Sequence, residues 1–128
     1  MHIASLVPRL LLGAVFAVFG FNHIVRFLPA SPLPSGVAGQ FIGALVASGY
    51  MYVVGFCEVA SGLLLLFNRF VPLGLVVLAA VIVNILLVDI LMAPMGIPVG
   101  VVVLILWCLT AWRARSALFP LLSRKVAD

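Results

Sequence analysis

Four long apolar segments, separated by short stretches rich in proline, glycine or polar residues, account for most of this chain. Each segment is near the length of about 20 residues that an α-helix needs to cross the hydrocarbon core of a bilayer. Because every backbone polar group must be paired within such a segment in lipid, the segments are expected to be helices rather than strands. The sequence therefore predicts one all-α domain over residues 1–128, an integral membrane four-helix antiparallel bundle with helices at residues 5–28, 50–67, 72–92 and 97–112.

The amino-acid composition excludes most classes of soluble protein. Of the 128 residues, 66% are hydrophobic and only 8% are charged, whereas a soluble domain carries about 25% charged residues. A soluble enzyme and a disordered tail are excluded on this ground. A nucleic-acid-binding module is also excluded, because the seven basic residues are too scattered to follow a phosphate backbone. The first segment lacks a small-residue cleavage site in a good context, so we interpret it as a mature helix rather than a signal peptide.

The connection between the first and second apolar segments differs from the other two connections. Pro29, Pro32 and Pro34 make its first part stiff and non-helical. Residues 35–49, which follow, are too few to cross a bilayer and too apolar for a solvated loop. We therefore predict a short interfacial or re-entrant helix in this connection.

The basic residues predict the orientation of the chain. With four spans, both termini lie on one side of the membrane, and the opposite side carries only Arg26. The side of the termini carries Arg9, Arg69, Arg113, Arg115, Arg124 and Lys125. Because lysine and arginine concentrate in cytoplasmic connections, both termini are predicted to be cytoplasmic. The basic tail, residues 113–128, is expected to lie on the anionic inner leaflet, where it anchors the topology.

Glycines recur at helical spacing on one face of the first two apolar segments. They are Gly13 and Gly20 in the first segment and Gly55 and Gly62 in the second. Small residues at such spacing let two helix backbones approach closely, and this packing drives helix association in lipid. We therefore predict that these glycines form helix-packing contacts.

Six polar or ionisable residues lie within or beside the apolar segments, where composition does not explain them. They are Glu58, His23, Asn84, Asn22, Arg26 and Asp89. At about 1.5 Å of rise per residue, Glu58 and Asn84 are predicted to lie roughly 12 Å below the outer boundary and the other four roughly 3–9 Å below it. Polar side chains at this depth face the bundle interior and often mark function. The six residues therefore predict a polar ligand-binding pocket between the first three apolar helices that opens towards the extracytoplasmic side.

Glu58 is the strongest candidate in this pocket, because it lies in the middle of its segment on the glycine-containing face. Its functional interpretations are a proton relay, a hydrogen bond to a quinone carbonyl and cation binding. Its structural interpretation is a protonated Glu58 that hydrogen-bonds across helices to Asn84. Asp89 and Arg26 also have a structural interpretation, in which they pair with each other at the interface or extend to lipid headgroups.

The histidines and cysteines predict neither a metal site nor a disulfide. His23 lies far from the only other histidine, His2, so it lacks partner ligands for a metal or haem. Cys57 and Cys108 are predicted to lie at different depths, which does not fit disulfide geometry. No nucleophile elbow, P-loop or dinucleotide-binding motif is present in the sequence. The chain thus has no evident catalytic motif or redox centre.

Two stretches of the chain resemble the DoxX family of small four-helix membrane proteins. The run RLLLGAVFAVFGFNH, from Arg9 to His23, resembles the first helix of that family. The run GFCEVASGLLLL from Gly55, with Arg69 shortly after it, resembles the second helix. The similarity extends over nearly the whole chain, with four spans, a proline-containing first loop and a short basic tail.

The resemblance implies a bacterial inner-membrane protein linked to quinol-oxidising or thiosulfate:quinone systems, or to redox and thiol-stress complexes. The residues of this chain that match the family pattern by position are Glu58, the glycines at 13, 20, 55 and 62, and His23. At the position of His23, relatives often have another polar or basic residue. Asn84 and Asp89 depart from the pattern expected for the third helix of the family.

Three functional hypotheses remain open on the sequence. In the first, the chain is a membrane subunit or partner of a quinone-linked redox system, its pocket holds a quinone headgroup, and a partner protein supplies the redox cofactor. In the second, the chain is an assembly or binding protein whose lipid-facing surface docks a partner. In the third, it is a small carrier that forms a homo-oligomer, with Glu58 as a proton-coupled gate.

Overall fold

The computed structural model describes residues 3–26 and 33–123, and within these ranges the chain is helical and contains no strand. The α-helices are α1 (Ile3–Ile24), α2 (Gly36–Ser48), α3 (Tyr50–Leu66), α4 (Val71–Leu91), α5 (Ile97–Arg113) and α6 (Arg115–Leu118). Short 3-10 helices at Pro94–Gly96 and Phe119–Leu122 precede α5 and follow α6. The predicted all-α fold class is confirmed.

Three helical stretches of the described chain are individually long and apolar enough to cross a membrane. They are Leu6–Ile24, Val71–Leu91 and Pro94–Arg113. The last of these reaches sufficient length because the 3-10 helix runs directly into α5. Helix α3 has only 17 residues, which is short of the about 20 that a span needs. Together with α2 it passes the same test as a bent pair, so the chain has up to four spans by length and composition.

Helix α2 forms where the sequence predicts a separate short helix, and its axis is bent by 85° from that of α3. Gly49 joins the two helices with φ at 82°, in the left-handed region that glycine adopts without strain. A continuous helix through this residue would make one long span. The glycine instead ends α2 and turns the chain into α3.

Two tight turns join α3, α4 and α5. The first contains Asn68 and Phe70, both in the left-handed region with φ at 55° and 51°. Pro72 then stands in the first turn of α4, where a missing N–H costs little. The second turn uses the 3-10 helix Pro94–Gly96, and Pro98 occupies the equivalent position in α5. The short turns return each helix alongside the preceding one.

Helix α1 packs mainly on α3 and α5, and α4 packs on the same two helices from the other side. The α1–α3 interface is the most extensive. Its residues pair in opposite order, since Gly13 meets Gly62 near one end and Gly20 meets Gly55 near the other. A hydrogen bond from the indole Nε1 of Trp107 to the Leu75 carbonyl oxygen, 2.9 Å long, joins α5 to α4.

A small apolar core fills the space between these helices, and the outer surface is also apolar. The core side chains are Leu12, Phe16, Leu65, Val71, Leu75, Leu78, Ile82 and Val103. No candidate span has more than 28% of its residues buried, so most residues of each span are at least partly exposed. Phe56 and Leu91 are exposed examples on α3 and α4. An apolar surface of this extent is compatible with a multi-pass membrane protein.

The end of α1 differs from the sequence prediction. The helix ends at Ile24, four residues before the predicted end at residue 28. Val25 still donates its backbone N–H to the Phe21 carbonyl oxygen, and Arg26 lies beyond this last turn. The remaining predicted helix positions, 27 and 28, lie outside the described residues.

Candidate functional site

A hydrogen-bonded pair of ionisable side chains joins α1 to α3. The Nδ1 atom of His23 lies 2.9 Å from the Oε1 atom of Glu58. The Glu58 side chain is 4% exposed and that of His23 is 33% exposed. The carboxyl group is therefore enclosed by the protein, while the imidazole ring extends from it towards the surface of the helix bundle.

The glycines of α1 and α3 bring this pair together. A Cβ atom on Gly20 would lie only 2.7 Å from the Cβ of Glu58 and 2.8 Å from the Gly55 carbonyl oxygen. A Cβ atom on Gly55 would lie 2.9 Å from the Cβ of His23. Because neither glycine has a side chain, the two backbones approach closely enough for the imidazole to reach the carboxyl group.

The order of the two residues along the helices matches the relative depths that the sequence predicted. Glu58 lies beside Gly20, and His23 lies beside Gly55, so the two residues are offset by three positions, about 4.5 Å along the helices. Their side chains span this offset to form the hydrogen bond. Ile24, the last residue of α1, lies beside Gly55, the sixth residue of α3. The first five residues of α3, about 7 Å of helix, thus extend beyond the end of α1. This extension arises because α1 ends at Ile24, four residues before its predicted end.

Asn84 does not join the pair, contrary to the predicted pocket. Its side chain is exposed, and its Nδ2 atom donates to the Ala80 carbonyl oxygen of its own helix at 2.8 Å. Leu78 and Ile82 form the buried face of α4, and a residue two positions after Ile82 lies about 200° around the helix. Asn84 therefore lies on the outer face, and the predicted interhelical hydrogen bond to Glu58 is wrong.

Asp89 belongs to a different part of the fold. It is 9% exposed and lies where α4 meets the start of α5. Its carboxylate oxygens occupy the space that Cβ atoms on Gly96 and Gly100 would need, at 2.4 and 2.6 Å from those positions. Its Oδ2 atom has no hydrogen-bond partner among the described residues. The two glycines thus make room for a carboxylate between α4 and α5, away from the His23–Glu58 pair.

Arg26 and Asn22 complete the predicted set. Arg26 is exposed, and within residues 3–26 and 33–123 the only close contact between a basic side chain and a carboxyl group is that of His23 with Glu58. The predicted pairing of Arg26 with Asp89 is therefore wrong. Asn22 is half-buried and precedes His23 in the last turn of α1. Of the six predicted pocket residues, His23 and Glu58 are hydrogen-bonded to each other in the structure. Asn22 is the residue before His23 in the sequence.

A cavity that the sequence did not predict lies at the opposite end of the α1–α3 interface. It has a volume of about 430 Å³, and its polar lining consists of Arg9, Asn68, Thr110 and Arg113. Arg9 donates from Nη1 to the Leu65 carbonyl oxygen of α3. We name this space the arginine cavity. Both arginines entered the sequence prediction only as markers of membrane orientation.

The described residues contain no cluster of three or more histidine, cysteine, aspartate or glutamate side chains that could hold a metal ion. Cys57 is half-buried and Cys108 is exposed, and neither forms a disulfide. His2 lies outside the described residues. The hydrogen-bonding chemistry of the α1–α3 site therefore rests on an imidazole and a carboxyl group.

This pair can exchange a proton and bind a polar group. When Nδ1–H donates to Glu58, the opposite ring nitrogen, Nε2, carries a lone pair and accepts a hydrogen bond. When both ring nitrogens are protonated, Nε2 donates instead, and the carboxylate balances the positive charge. The partly exposed ring is the part of the site that a ligand can reach.

Comparison of the chain with protein-family models, curated proteins and solved structures finds no match.

Proposed function

We propose that the chain is a DoxX-like multi-pass protein of a bacterial inner membrane, in which α1, α3, α4 and α5 form an antiparallel four-helix bundle. Three helical stretches of sufficient length and apolarity support this proposal, as does the bent α2–α3 pair. The opposite order of contacts between α1 and α3 and the tight turns before α4 and α5 support the antiparallel arrangement. In this arrangement α2 lies at the membrane surface, because its axis is nearly perpendicular to that of α3.

The proposed orientation has both termini in the cytoplasm. The end of α1 and the start of α3 then face the extracytoplasmic side, and the turn between α3 and α4 faces the cytoplasm. The unequal distribution of arginines supports this orientation, since Arg113 ends α5 and Arg69 and Arg115 closely follow the cytoplasmic ends of α3 and α5.

Cysteine labelling tests this orientation. In a chain with Cys57 and Cys108 replaced by serine, we expect Arg26→Cys to react with a membrane-impermeant maleimide added outside spheroplasts. We expect Ser116→Cys to react only after the membrane is opened. Both positions are exposed in the structure, so access depends on the side of the membrane. The reverse pattern would contradict the proposed orientation.

We further propose that the protein is a membrane subunit or partner of a quinone-linked redox system, and that His23 and Glu58 bind the quinone headgroup. The observation that carries this proposal is the buried Glu58 carboxyl group hydrogen-bonded to a partly exposed imidazole at an apolar helix interface. A quinone carbonyl accepts a hydrogen bond, and a quinol hydroxyl donates one. The Nε2 atom of His23 can serve either role. A lipid-soluble ligand also reaches an exposed apolar surface directly from the bilayer.

The proposed chemistry separates protons from electrons. Oxidation of a quinol to a quinone releases two electrons and two protons. His23 and Glu58 receive protons at the headgroup and pass them to the extracytoplasmic side, where α1 ends. A partner protein would supply the flavin, iron–sulfur cluster or haem that accepts the two electrons. The chain itself binds and orients the headgroup and exchanges its protons.

Purification in nanodiscs tests the proposed function. Native mass spectrometry, an absorbance spectrum and solvent extraction would identify a bound quinone and any cofactor-bearing partner. We expect quinone to be retained by the native chain and lost from His23→Phe, which removes both ring nitrogens. Cys108→Ser, at an exposed position on α5, is the matched control. A chain without quinone or a redox partner would contradict the proposal and favour an assembly or carrier role.

A further inference from the structure

We propose that the arginine cavity binds the phosphate group of an anionic ligand, with the headgroup of an anionic phospholipid as its source. This site is separate from the His23–Glu58 pair. It lies where the beginning of α1, the α3–α4 turn and the end of α5 come together, since Arg9, Asn68 and Arg113 all line it.

The cavity is lined by two arginines, half-buried Arg9 and exposed Arg113, and by no carboxylate residue. The chain has only three acidic residues, and the last of them, Asp128, lies outside the described residues. Glu58 is engaged by His23. Asp89 lies eighteen residues beyond the start of α4, about 27 Å along the helix. The positive charges of Arg9 and Arg113 are therefore uncompensated by either described carboxylate, and an anion would supply the missing charge.

Arg9 is held in place before any ligand arrives. Its Nη1 atom donates to the Leu65 carbonyl oxygen in the last turn of α3, which also accepts the Asn68 backbone N–H. The side chain is half-buried, so its aliphatic part packs while the remaining N–H groups of the guanidinium are available. A guanidinium fixed in this way matches the oxygens of a phosphate without further ordering of the side chain.

The start of α4 adds a second electrostatic contribution. Val71 and Pro72, the first residues of α4, also line the cavity. No side chain caps this helix N-terminus, so the partial positive charge of its free N–H groups is directed to the same region. The carbonyl groups at the end of α5 carry a partial negative charge, which works against binding of an anion. Arg113, in the last turn of α5, offsets that negative charge.

The size and position of the cavity favour a lipid headgroup. Its volume of about 430 Å³ falls within the range of about 300–1,000 Å³ typical of small-molecule sites and exceeds the needs of a bare phosphate ion. Arg9 lies six residues from the start of α1, about 9 Å along the helix. A phosphate attached to a lipid glycerol can extend to this depth along the bundle surface, with its acyl chains beside the exposed apolar residues.

Lipid retention in mixed nanodiscs tests this proposal. The native chain in equal amounts of phosphatidylglycerol and phosphatidylcholine should retain phosphatidylglycerol preferentially in native mass spectrometry. Arg113→Gln should reduce that preference by about tenfold or more, which corresponds to loss of one charge-assisted hydrogen bond. Arg9→Gln should have the same effect, but it also removes the hydrogen bond to Leu65. The Arg113 side chain makes no described hydrogen bond, so Arg113→Gln remains informative even if Arg9→Gln does not fold.

Arg115→Gln is the matched control, because Arg115 has the same charge two residues from Arg113. Its guanidinium lies 4.4 Å from the centroid of the Trp112 ring, outside the arginine cavity. Equal retention of the two lipids, or an equal loss in Arg115→Gln, would overturn the proposal. A ³¹P NMR titration with inorganic phosphate in phosphatidylcholine nanodiscs distinguishes the sources. If the native chain broadens the ³¹P signal of inorganic phosphate and Arg113→Gln does not, the phosphate site is supported with a soluble ion as its ligand.

Discussion

Alanine in place of Gly20 should lower the free energy of unfolding by about 1–3 kcal/mol, the cost of overpacking a close contact. The added Cβ would lie 2.8 Å from the Gly55 carbonyl oxygen and 2.9 Å from the Val59 backbone nitrogen. These are backbone atoms, so no side-chain rotation can relieve the contact. Helices α1 and α3 would have to separate along their most extensive interface. Thermal unfolding in nanodiscs measures the loss.

A second glycine and a control sharpen this prediction. Gly62→Ala should act in the same direction, because its Cβ would lie 2.7 Å from both the Ala17 nitrogen and the Gly13 carbonyl oxygen. Gly43→Ala in α2 is the control, since Leu33 Cδ1 at 3.8 Å is its single near neighbour. Alanine there should stabilise the helix by up to about 1 kcal/mol. If Gly20→Ala were as stable as Gly43→Ala, the close approach of α1 to α3 would be wrong.

Glutamine in place of Glu58 should leave the fold intact and reduce quinone affinity by about tenfold or more, the value of one hydrogen bond to a charged group. The amide oxygen can still accept a hydrogen bond from Nδ1 of His23, so the α1–α3 contact is retained. The amide cannot take up a proton or balance a protonated imidazole. Quinone titration and thermal unfolding, measured on the same nanodisc preparation, separate the two effects.

Leucine at position 58 should instead reduce stability, because it removes the hydrogen-bond acceptor of His23. We expect the free energy of unfolding to fall by about 1–3 kcal/mol in the native chain. In a chain that already carries His23→Phe, the same Glu58→Leu substitution should cost much less, because the hydrogen bond is already lost. Cys57→Ala, next to Glu58 and half-buried with a free thiol, controls for side-chain truncation in α3. If Glu58→Gln kept full quinone affinity while Glu58→Leu unfolded easily, the pair would act as an interhelical brace, contrary to the proposed function.

Much of the secondary structure was predictable because helix formation in apolar segments depends on local sequence. Predicted helices at residues 72–92 and 97–112 correspond to Val71–Leu91 and Ile97–Arg113. The short helix predicted within residues 35–49 is present as Gly36–Ser48. The prolines at helix starts and Gly49 mark these boundaries. Proline fixes φ and lacks a backbone N–H, and glycine permits a positive φ, and both effects act within a few residues.

The glycine spacing also predicted part of the tertiary packing. Gly13, Gly20, Gly55 and Gly62 all lie in close backbone contacts between α1 and α3. Small residues at helical spacing are informative because they determine which face of a helix can approach another backbone. His23 and Glu58 lie on the same faces as these glycines, whereas the sequence placed both in one candidate site because both are ionisable residues at membrane depth.

The chain by itself therefore determined where helices form, which faces of α1 and α3 are lined with glycine, and that most of the surface is apolar. Only the tertiary structure decided which polar side chains meet. Helical periodicity relates residues within one helix, but the rotation and axial offset between helices depend on packing among all of them. That packing joined His23 to Glu58 and turned Asn84 outward. It placed Asp89 against Gly96 and Gly100, and it gathered Arg9 and Arg113 around one cavity.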